Sequence, residues 1–284
     1  MEVKQIGVIG AGIMGHGIAQ VSATTGFKVV LRDVEERFLK NAMANMEKSL
    51  GRMVKAGKIA QEEVRKILGR IQTTTDLNTA VQGADLVIEA APETLELKKS
   101  IFRDLDNFCK AEAILGTNTS NFSITAIAAV TKRPQKVIGL HYFNPPAMMK
   151  LIEIVRGMET SEETLQVALD FARKSGKETV VCKDSQGFIT SRMINLWMVE
   201  AERILEEGIA TKEDIDKACC LAFNHPMGPF ELSDFSGLDT KLYVSDALTQ
   251  SFGERFRSTQ SVRNLVAAGH LGRKSGKGWY VYSK

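Results

Sequence analysis

Two clusters of residues in this chain combine types and spacings that chemistry can use. The first is Gly139-Leu140-His141-Tyr142-Phe143-Asn144-Pro145-Pro146, with Glu153 following twelve residues after the histidine inside Leu151-Ile152-Glu153-Ile154-Val155. Imidazole is the side chain whose ordinary titration range straddles neutrality, so it is the default base for a hydroxyl that must lose its proton. Glu153 interrupts an apolar run, and a carboxylate buried there requires a partner. Paired with one nitrogen of His141 it would fix the tautomer and stabilise the imidazolium. Paired instead with Arg or Lys it would be a structural ion pair. The other histidines offer less: His16 lies in a glycine-rich helix start, His225 precedes Pro226, and His270 is near the tail.

The second cluster is Gly10-Ala11-Gly12-Ile13-Met14-Gly15, a G-x-G-x-x-G that follows the first apolar run and opens a helical stretch ending at Gly26. The first Gly permits a tight turn, the second lets backbone approach a pyrophosphate, and the third lets helix and strand pack closely. The helix start then presents N–H groups and a positive dipole end to phosphate. Asp33 stands 23 residues after Gly10, close to the usual distance of about 20 for the acid that binds a ribose. A carboxylate there accepts from both ribose hydroxyls and repels a 2′-phosphate, which predicts NAD over NADP. Arg32 is expected to point to the opposite side of the strand from Asp33.

These residues need elements that position them. From Val3 to about Asp184 short apolar runs alternate with helical patterns: KQIGVIG, KVVLRD, DLVIEAA, AILGTN, VIGLHYF, LIEIVR and ETVVCKD are the strand candidates. Such alternation means a mostly parallel sheet with helices on both faces, here of Rossmann type. From Gly187 onward only helical periodicity is found, with a long stretch from Ile189 to Glu207 and another from Lys212 to Ala222. Thr211 reads as the N-cap of the latter, with Glu213 and Asp214 in its first turn. The predicted organisation is an α/β domain over residues 1–185 and an all-helical C-terminal domain over residues 186–284.

Composition narrows the class further. The chain has 284 residues, 44% of them hydrophobic and 25% charged, which fits globular domains rather than disorder. The net charge of +3, from 37 basic and 34 acidic residues, is too balanced for a nucleic-acid binder. Cys109, Cys182, Cys219 and Cys220 form no C-x-x-C pair and have no histidine at ligand spacing, so no metal site is expected. Reduced thiols, the absence of a signal-like start and the absence of a membrane-length apolar run together predict a cytoplasmic, unprocessed protein with no membrane partner. One local excess of base remains, Lys40, Lys48, Arg52, Lys55 and Lys58 along a single helical stretch. It could hold phosphates or be a solvated face.

The segments HYFNPP, LIEIV, GAGIMGHGIAQ, HPMGPFELSD and GRKSGKGWY together resemble the 3-hydroxyacyl-CoA dehydrogenase family, especially its short bacterial members acting on 3-hydroxybutyryl-CoA. The similarity runs essentially from end to end. It implies NAD-dependent interconversion of (S)-3-hydroxybutyryl-CoA and acetoacetyl-CoA. The long amphipathic helices of the C-terminal domain offer more apolar face than it can easily bury alone, which predicts a homodimer. The resemblance further implies that His141 is the general acid/base, that Glu153 orients it, and that Ser120 in Thr117-Asn118-Thr119-Ser120-Asn121 contacts the substrate oxygen. Asn118 and Asn144 would support the nicotinamide and that oxygen, unless they merely complete turns. Glu93, Lys98 and Lys274 match positions near NAD, and Ser49 and Lys55 match contacts to CoA. Two departures stand out: Ser191 occupies a position where the family usually has asparagine, and Ala56 one where relatives often have lysine. The rival readings are a dehydrogenase of a free hydroxy acid or sugar acid and a non-catalytic NAD-binding protein.

Overall fold

The computed structural model describes residues 1–282. The chain divides into two compact units, Met1–Ser185 and Gln186–Lys284.

The first unit runs β1 (Gln5–Ile9), α1 (Ile13–Thr24), β2 (Lys28–Arg32), α2 (Glu36–Lys55), α3 (Gln61–Leu68), β3 (Ile71–Thr74), α4 (Leu77–Val81), β4 (Leu86–Glu89), α5 (Leu95–Phe108), β5 (Ile114–Thr117), α6 (Ile124–Ala128), β6 (Val137–Tyr142), β7 (Leu151–Arg156), α7 (Glu162–Lys174) and β8 (Glu178–Lys183). The sheet order is β3-β2-β1-β4-β5-β6-β7-β8. All neighbours pair in parallel except β6 and β7, which are antiparallel. Strands covered on both faces read as continuous apolar runs rather than alternating ones. Ile6, Val8, Leu31, Leu86, Val87, Ile88, Ile138, Leu140 and Ile154 are accordingly fully buried. Each such side chain contributes about 1.5–3 kcal/mol relative to exposure, enough to fix register along every strand.

Chain order departs from sheet order at β1, where the path turns from β2 and β3 on one side to β4, β5 and β6 on the other. Ligands in open α/β sheets sit at such a switch point, beyond the carboxyl ends of the strands. The sequence reading did not include β3, whose IQTT is short and has only Ile71 buried. In α2 the residues Leu39, Ala42, Met46 and Leu50 form the buried stripe, which leaves the basic residues on the other faces.

The second unit contains α8 (Thr190–Glu206), α9 (Lys212–Ala222), α10 (Pro229–Ser236), α11 (Leu238–Phe252) and α12 (Gln260–Ala267). Thr211 caps α9 by accepting from the Asp214 N–H. The tail departs from the expected purely helical pattern. Residues 272–281 form a short bridged loop, because buried Asp234 accepts from the backbone N–H groups of Trp279 (3.0 Å) and Tyr280 (2.9 Å) and draws the chain back. Among the described residues no helix is long and apolar enough to cross a membrane.

Candidate active site

His141 and Glu153 are direct partners in the antiparallel β6–β7 register. Residues opposite one another in such a pair project from the same face, with Cβ atoms about 4.5–5.5 Å apart, within reach of a hydrogen bond between their side chains. The imidazole Nδ1 lies 2.6 Å from Glu153 Oε2. Both groups are buried, Glu153 completely and His141 at 4% exposure. Phe143 packs beside the imidazole, its ring centroid 4.6 Å away. With a carboxylate against Nδ1, the proton on that nitrogen is held in place and Nε2 is the nitrogen that can exchange one.

The loop after β6 carries Asn144 and a cis peptide to Pro145. Lys177 straps it by donating to the carbonyls of Pro146 (2.6 Å) and Met149 (2.7 Å). Partial burial holds the Lys177 ammonium below the usual lysine range. On its other side the loop rests on α1 at Gly17, where a Cβ would come within 2.8 Å of Pro146 Cδ. Between α1, α2 and this loop lies a cavity of about 630 Å³. Ser49, Lys55 and Asn144 all line it, joined by Lys48 and Arg52 of the basic stripe. Lys40 and Lys58 are not among its lining residues. His16, Gln20 and Asn45 also line it and were not anticipated. Only packing of α1 against α2 brings them together, so no local pattern marks them.

A second cavity of about 560 Å³ is lined by Gly10, Gly12, Ile13, Met14, Asp33, Val34, Phe38, Pro92 and Leu97, among others. Its glycines fit a bound dinucleotide. Gly10 has φ +103°, and a Cβ on Gly15 would fall 1.7 Å from Gly10 O, whereas nothing lies within 4 Å of the corresponding position at Gly12. Gly12 thus leaves open space where a pyrophosphate must approach backbone. Asp33 accepts from Ala11 N–H at 2.6 Å and from Val34 N–H at 2.7 Å, which ties the glycine loop to the end of β2. Arg32 and Asp33 engage different segments. Both residues line this cavity, and Arg32 Nε donates to Thr75 O at 3.1 Å while Asp33 accepts from the glycine loop.

At the ends of β4 and β5 a polar network holds the Thr117–Asn121 loop. Glu89, fully buried, accepts from Lys98 Nζ (2.8 Å), Ala91 N–H (2.7 Å) and Thr117 Oγ1 (2.7 Å). Lys98 Nζ also lies 3.2 Å from Glu93 Oε2. Glu93 Oε1 in turn accepts from Thr119 Oγ1 (2.5 Å) and the backbone N–H groups of Ser120 (3.0 Å) and Asn121 (3.2 Å). Lys98 is therefore engaged within the protein, at 1% exposure. Asn118 Oδ1 accepts from Tyr142 N–H at 2.9 Å, pinning this loop to the residue after His141. Ser120 is half-buried at the loop's rim. Glu89 was missed from sequence, although it ends the otherwise apolar Leu86-Val87-Ile88 run, the kind of signal that marked Glu153.

In the second unit Ser191 lies in the first turn of α8, half-buried. Lys274 pairs with Asp239, its Nζ 2.5 and 2.7 Å from the two carboxylate oxygens. No group of three or more potential metal ligands occurs among the described residues.

Comparison with known proteins extends this geometry to the whole chain. Residues 5–185 match the family model of the 3-hydroxyacyl-CoA dehydrogenase NAD binding domain, and residues 187–282 match that of its C-terminal domain. The probable 3-hydroxybutyryl-CoA dehydrogenase of Deinococcus radiodurans is 43% identical over 98% of this chain and 100% of its own length. The probable 3-hydroxybutyryl-CoA dehydrogenase of Bacillus subtilis is also 43% identical, over 100% of this chain and 99% of its own. The crystal structure of (S)-3-hydroxybutyryl-CoA dehydrogenase from Ralstonia eutropha superposes with a TM-score of 0.96 at 39% identity, covering both chains completely. With two consecutive models of one family spanning nearly every residue, and relatives matched over their full length, the chain belongs to the 3-hydroxyacyl-CoA dehydrogenase family.

Proposed function

We propose that this chain catalyses the NAD-dependent oxidation of (S)-3-hydroxybutyryl-CoA to acetoacetyl-CoA and the reverse reduction. The observation that carries the reading is the buried His141–Glu153 pair, 2.6 Å apart, in a sheet whose switch point holds a dinucleotide cradle. Bound NAD supplies the hydride acceptor for oxidation, and NADH the donor for reduction. His141 Nε2 takes the proton of the C3 hydroxyl as the alcohol is oxidised. Glu153 stabilises the resulting imidazolium through Nδ1 and keeps the ring from turning. In the reduction His141 returns the proton to the C3 oxygen. Ser120 donates to that oxygen, where charge develops, and Asn144 orients the same end of the substrate.

Gly10 to Gly15 hold the pyrophosphate on the start of α1, Asp33 the adenosine ribose, and Glu93 and Asn118 the nicotinamide side, with Lys98 behind Glu93. Ser49, Lys48, Arg52 and Lys55 receive the CoA phosphates in the cavity between α1 and α2. Ser191, in the first turn of α8, keeps a hydroxyl donor at the position where the family usually has asparagine.

The same reading takes the protein as a cytoplasmic homodimer. In support of a dimer, the helical unit exposes Met193, Leu221 and Phe223 at 69%, 77% and 62%. In support of a reducing compartment, all four cysteines are free thiols. The deciding assay follows NADH oxidation with acetoacetyl-CoA against free acetoacetate. Turnover with the thioester and little with the free acid is expected. Faster turnover with the free acid would move the chain to the hydroxy-acid reading, and no turnover with either would make it a non-catalytic NAD-binding protein. A lower KM for NADPH than for NADH would overturn the cofactor preference.

A further inference from the structure

We propose that Glu89, Lys98 and Glu93 act together as an electrostatic selector that favours the oxidised cofactor over the reduced one, with Glu89 as its specificity-determining residue. The proposal rests on the functional reading above, namely that a nicotinamide dinucleotide occupies this sheet edge.

The argument begins with charge. Two carboxylates share one ammonium: Lys98 Nζ is 2.8 Å from Glu89 Oε1 and 3.2 Å from Glu93 Oε2. Among the described residues no second cation pairs with either carboxylate, so the trio carries a formal charge of −1. Dipoles stabilise it instead, through the N–H of Ala91 and the hydroxyl of Thr117 at Glu89, and the N–H groups of Ser120 and Asn121 with the Thr119 hydroxyl at Glu93. Glu89 and Lys98 are sealed at 0% and 1% side-chain exposure, while Glu93 reaches the surface at 34%. A charge embedded in this way is screened far less than a surface one.

Location gives that charge a target. Glu89 is the last residue of β4 and Thr117 the last of β5, on the opposite side of β1 from Asp33 at the end of β2. A dinucleotide with its ribose at Asp33 and its pyrophosphate at Gly10–Gly15 must lay its other half over β4 and β5. That half is the nicotinamide, which carries a positive charge when oxidised and none when reduced. An unbalanced negative charge beside it lowers the energy of the first form and leaves the second nearly unaffected. A role limited to propping up the loop would affect both forms alike.

The test is the ratio of the dissociation constants of NAD⁺ and NADH, measured by isothermal titration calorimetry on the full chain without acyl-CoA. Glu89→Gln keeps the side chain's shape and an acceptor oxygen and removes one charge. It is expected to weaken NAD⁺ binding relative to NADH by roughly tenfold, the order expected of one charge acting across a protein-like dielectric. Glu93→Gln removes the same charge from the partly exposed member and should shift the ratio in the same direction, which keeps the test open if Glu89→Gln does not fold. An unchanged ratio in a folded variant, including equal weakening of both forms, overturns the proposal and leaves the functional reading standing. Failure of the unsubstituted chain to bind either form overturns both.

Discussion

Each unit of this protein buries a glutamate against a lysine, and the two pairs are built to the same plan with different endings. In the first unit Glu89 accepts from Lys98, a threonine hydroxyl and a backbone N–H. In the second Glu202 accepts from Lys241 and from the N–H (3.1 Å) and hydroxyl (3.3 Å) of Thr259. The endings diverge at the lysine. Lys98 passes on to Glu93, which is partly exposed and holds the Ser120 backbone. Lys241 passes on to Ser258, which is 3% exposed, so the second network closes on itself. Burial drags the Lys241 ammonium down, and the opposing pull of Glu202 does not fully restore it. Burying an ion pair is costly in both places and gains little over a packed apolar pair. The first pair is explained by the ligand edge to which it leads, the second by the α8, α11 and 256–259 segments that it joins.

The sharpest contrast with either pair is the imidazole, whose loss should show first in turnover. His141→Ala is expected to lower kcat for acetoacetyl-CoA reduction by about 10²–10⁴-fold with NADH affinity unchanged. Stopped-flow or steady-state rates would check this, and undiminished turnover would remove His141 from the mechanism. The enclosed pair should behave in the opposite way. Glu202→Ala, which leaves Lys241 buried without its carboxylate, should cost about 3–5 kcal/mol in urea unfolding, with kcat/KM of the folded protein retained. A kinetic defect at full stability would erase the distinction drawn between the units.

Smaller effects sharpen the picture. Lys55→Glu should raise KM for acetoacetyl-CoA about tenfold with little change in KM for NADH, since it reverses one charge in the cavity between α1 and α2. Ser191→Asn should retain or raise acetoacetyl-CoA reduction, and loss of all activity would show that α8 is misaligned with the family. The smallest change concerns Lys274 and Asp239, which are 49% and 42% exposed. Burial tends to raise the Asp239 carboxyl, but the hydrogen bond and charge of Lys274 hold it below its ordinary value. A lowered folded pKa contributes stability above the unfolded carboxylate pKa, and that contribution is lost as pH falls through the folded value. Lys274→Met should therefore lower urea stability by about 0–1 kcal/mol near neutrality, and the difference should vanish in strong acid.

Much of the first unit was legible because its strands are covered on both faces and so write themselves as apolar runs. Glu153 was found because it breaks such a run in the middle. Glu89 breaks one at its end, where a charge looks like the start of a solvated loop; burial under Lys98 and Thr117 is a tertiary fact. Lys98 reads as a charge on an amphipathic helix, yet the helix turns it inward. β3 escaped because an edge strand with one buried residue has no periodicity to read. His16, Gln20 and Asn45 escaped because their shared cavity exists only once α1 and α2 pack. The bridged tail falls in a stretch that reads as helical, because Asp234, which draws it back, lies more than forty residues away.

Ile13 lines both cavities, and Gly17, one turn further along α1, touches Pro146. The helix that opens at the glycine turn is thus also the wall against which the Asn144–Ala147 loop leans. A single methyl group at position 17 would wedge the Asn144–Ala147 segment outward and leave the glycine turn at Gly10 untouched, separating two recognition events that now share one rigid partition.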